Sequence, residues 1–124
     1  MSVTPILEIT ELAVGQVDQF ATANAAFRAL EAAANAVLTL TISGAVTLTK
    51  DQFLRNAVFV CQGHTAAQNL TVLASMRKFT VHNKGTSSGV LNVVLGSTSI
   101  ALAVGSAPAN FYTDGTANGL FKIG

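Results

Sequence analysis

The sequence predicts a mainly β protein, in which a short N-terminal arm and one α-helix precede an antiparallel β-sandwich that is jelly-roll-like. From residue 37 onward, apolar and polar residues alternate with the period of two that is typical of a half-buried strand. Gly, Pro, Asn-Lys-Gly and Asp-Gly interrupt this alternation about every ten residues, a spacing typical of sandwiches and barrels. Residues 20–36 have the composition of a helix instead.

The composition predicts one domain that is partly covered by other proteins. The 124 residues suffice for one core. We divide them into an anchoring or oligomerisation segment, 1–36, and the β-sandwich, 37–124. Half of the residues are hydrophobic and 10% are charged, against roughly 25% charged in ordinary soluble domains. Because so few charges coat a monomer poorly, we expect copies of the chain or neighbouring proteins to bury part of its surface.

Charge and hydropathy argue against two classes of partner. No stretch approaches the roughly 20 uninterrupted apolar residues of a spanning helix, so we expect no membrane insertion. The net charge is +1, divided into −3 over residues 1–31 and +4 over residues 32–124, so the two parts should attract each other or each other's neighbours. This thin basic excess and the 6% aromatic content argue against nucleic acid as a partner.

The N-terminal segment contains the predicted arm and helix. Residues 1–18, bent at Pro5, are expected to be an extended arm that lies on another surface. The alanine-rich residues 20–36 lack Gly and Pro and should be helical, with Thr22 or Asp18 as the cap. Their apolar residues recur at intervals of three and four: Phe20, Ala23, Phe27, Leu30, Ala34 and Val37. This spacing fits an oligomerisation seam and, equally, one helix packed on a sheet.

Nine strands follow from the alternation. They are residues 37–42, 45–48, 57–61, 69–73, 79–83, 90–95, 99–103, 110–113 and 120–123. A capping-box pattern at Thr49 and Gln52 predicts a short helical turn after the second strand. Ser43-Gly44 should form a turn, and Asp114-Gly115 is the strongest hairpin signal, with positive φ expected at both residues. No close internal repeat is visible.

The apolar phase of these strands gives the expected core. Its members are Leu38, Leu40, Ile42, Val46, Leu48, Phe53, Val58, Val60, Leu70, Val72, Phe79, Val81, Leu91, Val93, Ile100, Leu102, Phe111 and Phe121. The single cysteine, Cys61, lies in an apolar run and is expected to be a small buried hydrophobe.

The sequence contains no recognisable pattern of catalytic residues. It therefore predicts a protein that is not an enzyme, with no catalytic, cofactor-binding or metal-binding residue. A metal site at Cys61 and His64 would lack its remaining ligands, and His82 has no carboxylate at ligand spacing. No phosphate-binding loop or GxSxG elbow is present. A glycosidase pair of Asp51 and Asp114 is the alternative, but the chain is short of sugar-stacking aromatics.

Arg77-Lys78 is the one adjacent basic pair in the sequence. We expect a solvated start of a strand that protects a sheet edge from wrong pairing. The alternative is contact with an acidic neighbour or a surface glycan.

Two portions of the chain resemble phage structural proteins. Residues 11–16 (ELAVGQ) and 22–31 (TANAAFRALE) resemble the opening of a family of phage tail and gene-transfer-agent proteins, with its LxxGQ element and following helix. A second portion looks like β-modules of phage tail fibres and spikes. Its segments are residues 79–83 (FTVHN), 90–93 (VLNV), 100–105 (IALAVG) and 111–116 (FYTDGT).

The resemblance implies a virion protein, often trimeric, without catalytic residues. In such modules Asn83 can bond neighbouring backbone, Asp114 is a turn residue, and Gly105 and Gly115 supply backbone angles that other residues resist.

The resulting hypothesis is a homotrimeric tail-fibre, baseplate or spike component for assembly or host attachment. Its partners would be itself, other virion proteins, and a host surface glycan or protein. The first alternative is a capsid decoration or head-fibre protein, with the tail preferred over the head. The second alternative is a sugar-binding module or small hydrolase that depends on Tyr112.

Overall fold

The computed structural model describes residues 3–12 and 19–124. These residues form two helices and nine strands, whose ends lie within two residues of the sequence prediction. The elements are α1 (Gln19–Asn35), β1 (Val37–Thr41), β2 (Val46–Thr47), α2 (Lys50–Leu54), β3 (Val58–Gln62), β4 (Gln68–Thr71), β5 (Arg77–Lys84), β6 (Leu91–Leu95), β7 (Thr98–Leu102), β8 (Ala109–Thr113) and β9 (Leu120–Lys122).

Both helix starts had a predicted cap. At α2 the capping box is confirmed, because Gln52 N donates to Thr49 Oγ1 and Thr49 N donates to Gln52 Oε1. At α1 Thr22 lies inside the first turn rather than ahead of it, so it is not the cap. The other expected cap, Asp18, lies outside the described residues.

The strands form two mixed sheets. The first has the order β1-β3-β5-β8-β9 and the second has the order β2-β4-β6-β7. Within each sheet the first three strands are parallel, and β7, β8 and β9 pair antiparallel with their neighbours. A mainly β fold is therefore confirmed, but the prediction of an antiparallel, jelly-roll-like sandwich is not.

The parallel pairing arises because the chain changes sheet after each of its first five strands. A strand therefore pairs with the strand two further along, as Val37 does with Val58, 21 positions on, and Val46 with Leu70, 24 positions on. The result is a β-solenoid of three coils. Turn residues every ten positions fit a reversal within one sheet as well as a corner between two sheets. Ser43-Gly44 is such a corner, since it leads from β1 into the other sheet.

The core lies between the two sheets, where inward side chains of successive coils stack. Leu38 aligns with Phe59 and Val81 in the first sheet, and Val46 aligns with Leu70 and Val93 in the second. These side chains belong to one continuous apolar cluster or pack against it. Because each coil stacks on the next, the interior repeats although the residue types do not.

Three predicted core residues are not in the core. Val58 and Val60 lie on the outward face of β3, because Phe59 and Cys61 occupy the inward positions and are fully buried. The four residues before Gln62 are apolar on both faces, so they carry no alternation that sets the orientation of the strand. Phe121 is 42% exposed and stacks on Tyr112, an exposed residue of the neighbouring strand β8.

Substitution of Phe79 tests whether this apolar cluster stabilises the fold. Its ring centroid lies 5.3 Å from that of Phe53, 6.0 Å from Phe59 and 5.5 Å from Phe111. We expect Phe79→Ala to lower the free energy of unfolding by about 3–5 kcal/mol in urea melts. Phe121→Ala, which removes an exposed ring from a stacked pair, should cost about 1 kcal/mol. Equal shifts in the two variants would contradict the assignment of Phe79 to the core.

Candidate interaction surface

The apolar face of α1 is exposed. Phe20, Phe27 and Leu30 are 89%, 66% and 50% exposed, and Ala33 is the buried residue of the helix. Ala23 is half-buried and Ala34 exposed, whereas Val37, the last member of the predicted seam, begins β1 and is 59% exposed. The helix therefore does not use this face to pack on a sheet of its own chain.

Arg77 ties the C-terminal end of α1 to the solenoid. Its Nη2 donates to the carbonyl oxygens of Ala33, at 3.1 Å, and Asn56, at 2.7 Å. Burial and, secondly, the charge of Arg55 lower the pKa of Arg77. The expectation of a solvated basic pair is wrong for Arg77, which is half-buried, although Lys78 is exposed. The reason is that the last turn of a helix leaves carbonyl groups that need donors.

Residues 3–12 form a closed turn, which we call the N-terminal turn. Val3 bridges antiparallel to Thr10, Thr4 N donates to Ile9 O, and Ile9 N donates to Thr4 Oγ1. The expected extended arm is therefore wrong for this part of the chain. The rest of the predicted arm, including residues 13–18, lies outside the described residues.

The N-terminal turn lies on the solenoid of its own chain. Arg55 Nη1 donates to Leu7 O at 2.6 Å, and Arg55 Nη2 donates to Glu8 O at 3.4 Å. Ile9 is buried, and Lys50 Nζ lies 3.2 Å from Glu8 Oε2. This ion pair is solvent-exposed and contributes little, so the apolar contacts and the Arg55 bonds hold the turn. No pattern in the sequence points to Arg55, because the carbonyl groups of Leu7 and Glu8 that it binds lie more than 40 positions away.

The N-terminal turn and α1 are the two walls of an apolar groove of about 610 Å³. Ile6 and Leu12 line it from the turn, and Ala23, Phe27 and Leu30 line it from the helix. Of the described residues around it, Glu11 is the one with an ionisable side chain. Because Phe27 and Leu30 belong to both, the groove and the exposed face of α1 form one continuous apolar surface.

Asn83 has a structural position inside the solenoid. Its Nδ2 donates to Gly89 O at 3.0 Å and to Leu102 O at 2.9 Å. Its Oδ1 accepts from Gly85 N at 2.9 Å and from His64 Nε2 at 2.8 Å, which assigns the ring proton to Nε2. The buried amide is thereby fully hydrogen-bonded, and it joins the corner after β5 to the end of β7.

His64 fills the space that two glycines leave. The ring is buried, and a Cβ on Gly85 would lie 2.3 Å from its Nε2, while one on Gly89 would lie 3.1 Å from its Cδ2. Nδ1 of His64 has no protein partner. The described residues contain no group of three or more His, Cys, Asp and Glu side chains that could hold a metal ion.

The remaining turn residues lie in loops. Gly105 and Gly115 have φ of +75° and +89°, conformations that side chains resist. Asp114 does not have the positive φ that we expected, because the loop between β8 and β9 spans residues 114–119 instead of two. Its carboxylate accepts bonds from Oγ1 and N of Thr116, and these lower the pKa of Asp114.

Comparison with family models, curated proteins and solved structures gives no match to this chain. Within residues 3–12 and 19–124, no helix has the length and apolar character needed to cross a membrane.

The packing of His64 predicts that alanine substitutions at two glycines change the free energy of unfolding by different amounts. Gly85→Ala should lower the free energy of unfolding by about 1–3 kcal/mol, because the new methyl group must displace the buried ring. Gly44→Ala is the control, since its Cβ would meet nothing within 4 Å, and it should change stability by less than about 1 kcal/mol. Thermal or urea melts measure both, and similar losses in the two variants would refute the packing.

Cys61 predicts a loss of stability at high pH. Burial raises the pKa of its thiol from 9.0 to about 12, so the folded state holds the proton that the unfolded chain releases. The stability that the protonated Cys61 thiol contributes to the folded state is complete below pH 9.0 and is lost as the pH rises through about 12. We expect Cys61→Ala to flatten the decline in unfolding free energy above pH 9, measured by urea melts at each pH. An identical decline in both proteins would contradict this.

Proposed function

We propose that this chain is a structural subunit of a bacteriophage particle, a component of a tail fibre, baseplate or spike. It acts as an oligomer, a homotrimer in the form that the sequence resemblance suggests, in assembly or host attachment. The segment before β1 anchors the subunit and joins copies, and the solenoid projects from it.

The distribution of exposed apolar side chains carries this proposal. Eleven large hydrophobic residues of the described chain are substantially exposed, and seven of them precede β1 or begin it. These seven are Val3, Ile6, Leu12, Phe20, Phe27, Leu30 and Val37. The chain after Val37, which contains most of the residues, exposes the other four. Exposed apolar side chains gathered in one segment of the chain are typical of a subunit that is assembled through that segment.

Two further observations support the proposal. The order of turn, helix and β-body agrees with the order of the two portions that resemble phage structural proteins. The stacked coils give the body an interior of interlocked side chains, which suits a part that bears load without changing shape.

Labelling of particles tests the proposal. Antibodies raised against the purified chain, coupled to gold, are applied to particles of the phage that encodes it, and antibody pre-adsorbed with the chain is the control. We expect gold on the tail or its fibres. Gold on the head would favour the capsid-decoration alternative. Absence of both the label and the chain's peptides from purified particles would overturn the proposal.

A further inference from the structure

We infer that the groove between the N-terminal turn and α1 is the seat of α1 from a second copy of this chain. The exposed face of α1 and the N-terminal turn then form one continuous self-association interface. This inference rests on the proposed oligomeric role, but it does not depend on where in a particle the oligomer lies.

Both walls of the groove are fixed to the solenoid before any partner arrives. Arg55 holds the backbone of Leu7 and Glu8, and Arg77 holds the last turn of α1 at Ala33. Because the walls are held by bonds to the body, little ordering is lost when the groove is occupied, which favours binding.

The face of α1 has the chemistry that the groove accepts. The exposed seam positions Phe20, Phe27 and Leu30 are apolar. Of the two charged residues of the helix, Arg28 lies about 100° around the helix from Phe27, whereas Glu31 borders the seam at about 40°. An apolar helix face in an apolar groove is a common mode of helix recognition. Among the described residues that line the groove, Glu11 alone is ionisable, which gives no basis for an ionic ligand. Ala23, which lines the helix wall, leaves room for a larger side chain from the partner.

A specific interface at this site needs the exposed apolar area of both walls of the groove. The exposed parts of Phe20 and Phe27 together offer on the order of 300 Å², since an aromatic side chain buries about 150–250 Å². A specific interface buries about 800 Å² from each partner. Leu30 on the helix, with Ile6 and Leu12 on the turn, enlarges the apolar surface toward that size. A seam of α1 helices without the N-terminal turn falls short of it.

Light scattering after size-exclusion chromatography at micromolar concentration tests the inference. We expect the wild-type chain to have the mass of two or more protomers of 12.7 kDa. Phe27→Asp on the helix wall should raise the dissociation constant at least tenfold, because it places a charge in the apolar interface. Ala25→Asp is the matched control: residue 25 is exposed and lies about 200° around the helix from residue 27, so the same charge stays in solvent.

The N-terminal turn is tested separately with Ile6→Asp and Leu12→Asp, whose parent side chains are 41% and 56% exposed and leave the charge solvated in the monomer. Both should weaken association at least tenfold. Their urea midpoints should be close to that of Ala25→Asp when all three proteins are diluted below the concentration at which the chain associates. Weakening by Phe27→Asp but by neither turn variant would mean that the helices meet without the groove, and the inference fails.

Three other outcomes also overturn the inference. A monomeric wild-type chain means that the groove does not hold a second copy, and a different particle protein or a lipid would then be the candidate occupant. An oligomer that survives Phe27→Asp unchanged has its interface elsewhere. Equal weakening by Ala25→Asp means that charge on the helix, rather than the groove, controls assembly. In each case gold labelling of particles still decides the proposed function independently.

Discussion

The stacking of one coil on the next is the constraint on which the rest of this structure depends. The chain changes sheet at each corner, so a strand finds its hydrogen-bonding partner 21 to 24 positions along, one full coil later. Backbone groups of the inner strands are satisfied by the neighbouring coils. Inward side chains then stack in columns without a requirement for identical residues, which is why the repeat exists in space and not in the amino-acid sequence.

The parallel solenoid ends where a polar residue takes an inward position. Leu40 aligns with Cys61 and Cys61 with Asn83, so the third coil places an amide where the first two place apolar groups. The amide bonds the carbonyl oxygens of Gly89 and Leu102, which lie where the chain begins to pair antiparallel. A buried polar side chain with all its bonds made fixes one local geometry, whereas an apolar residue of similar size would leave those groups unpaired.

Two arginines, together with the burial of Ile9 and Ala33, position the N-terminal segment without covering the apolar face of α1. Arg55 and Arg77 donate to backbone carbonyls, so the N-terminal turn and α1 are positioned while Phe20 and Phe27 stay exposed. A segment that is positioned in this way presents its apolar face outward in a fixed orientation. Of the eleven exposed large hydrophobic residues that the structure describes, seven lie in this segment or at Val37, so most of the uncovered apolar surface lies at or before the first residue of β1.

The sequence by itself determined where the elements lie, the capping box of α2 and most of the core, because period, composition and caps act over a few residues. It also determined the apolar face of α1. Only the tertiary structure decided that β1, β3 and β5 are parallel neighbours, and that Phe59 rather than Val58 points inward. It alone placed Arg77 on a helix end and His64 on Asn83. These contacts join residues about 20 or more positions apart, and the path of the chain through its corners, which no local pattern encodes, brings them together.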